Sequence, residues 1–140
     1  DSANLTVKDA SGLSRDNRVT ARQVGQLLVK IRNDPKFAPV ISGLPVGGVS
    51  GTLRNRFSET APEAVGLVRA KTGTLNGTAN LAGYVEAGDR EYAFVIIADQ
   101  LRRSSVASKR ARDTVDRILG KLALPFAPQP VVETPVLTES

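Results

Sequence analysis

The amino-acid sequence predicts an α+β fold, an antiparallel sheet of three late strands with a C-terminal helix lying across one face. Three observations predict it. The runs "AVGLVRAKTG", "TANLAGYVEA" and "EYAFVIIADQ" follow one another after Ala64, and their β-branched and aromatic residues suit strands. Gly88-Asp89 separates the last two as a hairpin turn would. A basic, amphipathic stretch of helical period, about 105–123, then follows.

The elements are justified in chain order. Leu5 and Val7 alternate with polar residues and predict a short strand, followed by a loop rich in Ser, Gly, Asp and Asn. Thr20 and Gln23 have capping-box spacing, and Val24, Leu27, Leu28 and Ile31 recur at helical period, so a helix is expected over 21–33. Asp34-Pro35 ends it and starts a second short helix, with Asp34 as N-cap and Pro35 at the first position. "SGLPVGGVSGT" reads as loop, and "TLRNRF" as one or two helical turns. The unbroken apolar run Ala93 to Ala98 predicts that the third strand is central and buried on both faces. Ser104 or Ser105 caps the last helix, whose apolar stripe is Val106, Ala107, Ala111, Val115, Ile118, Leu119 and Leu122. Residues 1–124 are expected to form the folded unit. Residues 125–140, with four prolines in 16 positions, are expected to form an extended tail.

Composition narrows the chemistry. The 140 residues suit one domain or a large part of one. The absence of Cys and His excludes thiolate zinc sites, disulfides, thiol nucleophiles and a Ser-His-Asp triad within the chain, and no cofactor is expected. The net charge of +5 is spread without a basic run or interleaved aromatics, which argues against a nucleic-acid partner. No apolar stretch has the length of a transmembrane segment. The chain begins with Asp1, so a processed or truncated product is expected.

The chemistry concentrates in "VRAKTGTLNGTANLAGYV", residues 68–85. A phosphate-binding loop is excluded here. Gly66 stands five residues before Lys71, but Ala70 replaces the required glycine and a strand context replaces the helix start. Two readings remain, a lysine at a strand end before a turn, and the Lys-Thr-Gly strand motif of penicillin-recognising serine enzymes. In the second, the lysine attracts a peptide's terminal carboxylate and the threonine hydroxyl binds it. Glycine keeps the strand free of a side chain where substrate lies. The Thr74 N–H can face a developing oxyanion.

The blocks "DASGLSRDNRVT", "LPVGGVSGTLRNRF" and "VRAKTGTLNGTANLAGYV", in that order, resemble the C-terminal part of the D-alanyl-D-alanine carboxypeptidases of peptidase family S13, the class C low-molecular-mass penicillin-binding proteins. The resemblance spans about Leu5 to Leu122. It implies a three-layer α/β domain of the penicillin-binding-protein and serine β-lactamase-like transpeptidase type. It also implies an extracytoplasmic serine-type enzyme that acts on peptidoglycan stem peptides through an acyl-enzyme and is acylated by β-lactam antibiotics.

Carried onto this sequence, Lys71, Thr72, Gly73 and Thr74 form the motif, with Thr72 and Thr74 binding the substrate carboxylate. Leu13, Arg15 and Asn76 border the stem peptide. The nucleophile is missing, because no serine has a lysine three residues later. "SAN" at Ser2 to Asn4 imitates the family's Ser-x-Asn motif but lies too close to Lys71 and precedes a strand. The expected partner is therefore an N-terminal part of the same protein carrying Ser-x-x-Lys and Ser-x-Asn, and this chain alone is expected to be inactive. The alternative is a non-catalytic cell-wall-binding or scaffold domain of the same fold.

Overall fold

The computed structural model describes residues 3–125. Three antiparallel strands, β1 (Val68–Gly73), β2 (Ala79–Ala87) and β3 (Arg90–Ala98), form a sheet of order β1-β2-β3. Helices α1 (Ala21–Arg32), α2 (Ala38–Ser42) and α3 (Ser105–Ala123) accompany it, with short 3-10 turns at Pro35–Phe37, Gly51–Leu53 and Pro62–Ala64.

Alternation along the strands assigns the two faces of the sheet. Val68 and Ala70 of β1, Leu81 and Val85 of β2 and Phe94 of β3 pack with Val115, Leu119 and Ala123 of α3. Leu53, Phe57, Ala61 and Ala64 complete this core. On the opposite face, the Tyr84 hydroxyl donates to Leu28 O of α1 at 2.8 Å, and Gly25 of α1 approaches Val95. Burial raises the Tyr84 pKa, helped by the Glu91 carboxylate and opposed by Arg32. The arrangement is three layers, α1, sheet and α3.

The local signals at the helix starts act as read. Thr20 Oγ1 accepts from the Gln23 N–H at 3.2 Å, and Gln23 Oε1 accepts from the Thr20 N–H at 2.9 Å. Asp34 Oδ1 accepts from the Lys36 N–H at 3.0 Å, and the turn runs on into α2. Ser104 caps α3 by accepting from the Ala107 N–H at 3.1 Å.

Four expectations need correction. The first strand shrinks to one bridge, Thr6 to Arg18, because the loop that follows returns at once. β1 begins at Val68 rather than near Ala64, since Pro62–Ala64 forms a 3-10 turn. β2, not β3, is central, and Ala93 and Ile97 of β3 are exposed. The apolar run there reflects two half-buried faces on an edge strand among the described residues.

The stripe on α3 is also rotated. Its buried residues are Val115, Asp116, Leu119, Gly120 and Ala123, while Val106, Ile118 and Leu122 are exposed. The rotation follows from a charge pair and a close approach. Asp116, 2 % exposed, binds the Arg56 guanidinium and accepts from the Thr60 hydroxyl at 3.3 Å. A Cβ on Gly120 would stand 2.8 Å from Ala61 Cβ, so the glycine lets α3 reach the 3-10 turn. The proline-rich tail expected over 125–140 lies outside the described residues apart from Pro125.

Candidate active site

Among the described residues β1 is an edge strand, and only half of its free edge is covered. The Ala70 N–H donates to Pro45 O at 3.0 Å, and the Gly47 N–H donates to Val68 O at 2.9 Å. Segment 45–47 therefore acts as a one-bridge partner strand, centred on Val46 and Arg69. Since alternate residues of a strand direct their N–H and C=O to the same side, Thr72 also presents its backbone to this edge, beyond the covered part. The edge stands open where Lys-Thr-Gly sits.

Lys71 and Thr72 leave the strand on opposite faces. The Lys71 ammonium curls round the edge and donates to Thr72 O at 3.0 Å. Thr72 projects to the α3 side, where its hydroxyl lies 3.4 Å from the Thr52 hydroxyl. A cavity of about 350 Å3 opens there, lined by Thr52, Arg56, Thr72, Thr74, Asn80 and Arg112 together with Ala79, Leu81 and Val115. Every polar side chain lining it can donate a hydrogen bond, and none is acidic. Such a lining suits an anion.

Gly73 has no steric reason within the described residues to be glycine. A Cβ there would meet Asn80 Cβ at 3.4 Å, an ordinary contact, and its φ is not positive. Gly83, on the neighbouring strand, is the opposite case. A Cβ there would lie 2.1 Å from Arg69 O and 2.6 Å from Ala70 Cα. Only glycine lets β2 pack this tightly behind the motif strand.

The loop carrying Leu13 and Arg15 folds around one carboxylate. Asp9 accepts from Asn17 Nδ2 at 2.8 Å, the Ser11 hydroxyl at 2.7 Å, the Ser14 N–H at 3.0 Å and the Gly12 N–H at 3.1 Å. These bonds favour the ionised form and lower the Asp9 pKa to about 2, the Asn17 amide contributing most and the Ser11 hydroxyl next. The loop reaches the motif, since Arg15 Nη2 donates to Asn76 O at 3.4 Å. Leu13, Arg15, Thr74 and Asn76 are all exposed. Arg15 and Asn76 are therefore together, beside the turn that follows Thr74. Asn4 is exposed in a turn, and Ser2 lies outside the described residues.

The profile of the D-Ala-D-Ala carboxypeptidase 3 (S13) family matches residues 1–122. The chain belongs to this family. Among relatives of the S13 chain, a D-alanyl-D-alanine carboxypeptidase of Actinomadura sp. is 45% identical over 102 residues, which are 69% of this chain and 19% of that protein. Carboxypeptidase DacB of Mycolicibacterium smegmatis is 38% identical over 104 residues, 71% of this chain and 23% of the relative. The crystal structure of penicillin binding protein 4 (dacB) from Haemophilus influenzae superposes with a TM-score of 0.75 at 32% identity, covering 86% of this chain and 28% of that one. The fold is therefore that of a penicillin-binding protein, and the chain spans about a fifth to a quarter of the curated relatives' length.

Three residues that line the cavity escape a reading by motif. Thr52, Asn80 and Arg112 reach the cavity from a 3-10 turn, β2 and α3. No spacing rule links them, so no signal in the sequence could have grouped them. Asp9 was accessible in principle, since Asp followed by Ser and Gly favours a side-chain-capped turn. Among the described residues no His, Cys, Asp and Glu group could hold a metal ion, and no helix is long and apolar enough to cross a membrane.

Proposed function

We propose that this chain is the C-terminal part of an extracytoplasmic serine-type D-Ala-D-Ala carboxypeptidase or endopeptidase acting on peptidoglycan stem peptides. The observation that carries the reading is the open stretch of the β1 edge at Thr72, starting where segment 45–47 stops covering it. An extended peptide can add to such an edge through main-chain hydrogen bonds. Gly73, which nothing among the described residues obliges to be glycine, leaves room for it.

In this reading the Thr72 and Thr74 hydroxyls hold the peptide's terminal carboxylate, and the Lys71 ammonium adds positive charge at the edge. The Thr74 N–H takes part of the charge that develops on the scissile carbonyl oxygen. A serine on an upstream segment with Ser-x-x-Lys attacks that carbonyl and forms an acyl-enzyme, and the terminal D-alanine leaves with a proton. Water then releases the shortened peptide. β-Lactams acylate the same serine, consistent with a related penicillin binding protein 4 structure from Haemophilus influenzae that is complexed with a β-lactam. Leu13, Arg15 and Asn76 flank the stem peptide. The exposed Leu27, Ile97, Ile118 and Leu122 support association with the rest of the protein.

The test is acylation by a labelled penicillin. A complex or full protein that contains the upstream serine should be labelled, and residues 1–140 alone should not. Rapid labelling of the isolated chain, or none in the complete protein, would overturn the reading, and the latter outcome would favour a non-catalytic cell-wall scaffold.

A further inference from the structure

The Lys71 ammonium leaves β1 on the face opposite the Thr72 hydroxyl and is engaged with Thr72 O. The cavity on the threonine side carries its own cations, Arg56 and Arg112. Arg56 is committed. Its guanidinium pairs with Asp116 and donates to Arg112 O at 3.4 Å. Arg112 forms no ion pair among the described residues, and the adjacent Asp113 is taken by Lys109 at 2.6 Å.

We propose that Arg112 is a specificity-determining residue that binds the terminal carboxylate of the substrate, together with the Thr72 and Thr74 hydroxyls. The proposal rests on the function given above and names the cation of that subsite. A carboxylate in this cavity meets a guanidinium that forms no ion pair among the described residues and two hydroxyls, and no acidic residue lines the cavity. Lys71 then acts at the strand edge, close to the reacting carbonyl, rather than as the main partner of the carboxylate. Arg56 holds the cavity's shape through Asp116.

The experiment uses the full protein that carries this chain. Kinetics for a peptide ending in free D-alanyl-D-alanine are compared with those for its C-terminal amide, in the wild type, Arg112→Gln and Arg112→Lys. Arg112 is exposed, so the charge is partly screened, and Arg112→Gln should lower kcat/KM for the free acid by about five- to tenfold. The loss for the amide should be much smaller, and Arg112→Lys should restore part of the loss for the acid. Equal effects on acid and amide, or no effect, overturn the proposal while leaving the carboxypeptidase reading intact.

Equilibrium binding of N-acetyl-D-alanine gives a second readout independent of turnover. If the wild type neither releases D-alanine nor is acylated, yet N-acetyl-D-alanine binds and Arg112→Gln weakens it, the enzyme reading fails and the carboxylate subsite stands. Binding that is equal in wild type and Arg112→Gln, or absent from both, overturns the subsite.

Discussion

Gly83→Ala is the substitution that should strain the motif strand most directly. The new methyl would point at paired backbone, 2.1 Å from Arg69 O, 2.6 Å from Ala70 Cα and 2.8 Å from Ala70 Cβ. Neither backbone atom can rotate away, so β1 must move by roughly 1 Å to restore ordinary contact, widening a strand spacing normally near 4.8 Å. Overpacking of this kind costs about 1–3 kcal/mol, and the upper end applies because two of the three contacts are with backbone. The displaced segment leads straight into Lys71–Thr74, where a misplacement of that size lowers rate by on the order of 10²-fold. Urea unfolding and the rate of penicillin acylation in the full protein measure the two effects. Gly73→Ala is the internal contrast. Its methyl meets only Asn80 Cβ at 3.4 Å, so it should unfold like wild type yet lose acylation by blocking the edge. A Gly83→Ala protein with a wild-type unfolding midpoint and undisturbed β1 amide shifts would refute the steric argument.

Other outcomes follow from the same geometry. Asp116→Ala leaves the Arg56 guanidinium, 13% exposed, without its partner and should destabilise by about 3 kcal/mol. An Arg56→Met/Asp116→Leu double variant should recover much of that loss in denaturant unfolding. Tyr84→Phe removes the 2.8 Å hydrogen bond to Leu28 O and should cost about 1 kcal/mol, with the change in amide exchange concentrated in α1. Asp9 has its folded pKa lowered to about 2 from an ordinary 3.8. Its contribution to the loop is therefore present above about pH 4 and lost as pH falls through about 2. The Gly12 and Ser14 amide resonances should titrate near 2, and a midpoint near 3.8 would contradict the bonding around Asp9. Lys71→Ala should lower kcat/KM for peptides with a free terminal carboxylate, and an unchanged value would remove its role.

Elements whose signals are local were readable in the sequence. Thr20 with Gln23, Asp34 with Pro35, and Ser104 each mark a helix start through contacts within three residues, and each does so in the structure. The Gly88-Asp89 turn sets the β2–β3 register from Ala87 opposite Arg90 onward. The edge position of β3 is not legible in the sequence, because hydrophobicity reports how much surface is buried, not which strand lies beside which. The same limit applies to α3, where Asp116 is buried among apolar neighbours because Arg56, sixty residues earlier, meets it.

The sequence by itself determined the family, the Lys-Thr-Gly strand, the helix starts and the hairpin, because these depend on residue type at short and regular spacing. Tertiary structure alone decided that segment 45–47 covers half of the β1 edge and leaves Thr72 open. It alone placed Lys71 and Thr72 on opposite faces of a packed sheet, and brought Thr52 and Arg112 to the threonine side. The physical reason is sequence separation. Those side chains come from three elements, and their juxtaposition exists only once the sheet and α3 have closed over a shared core.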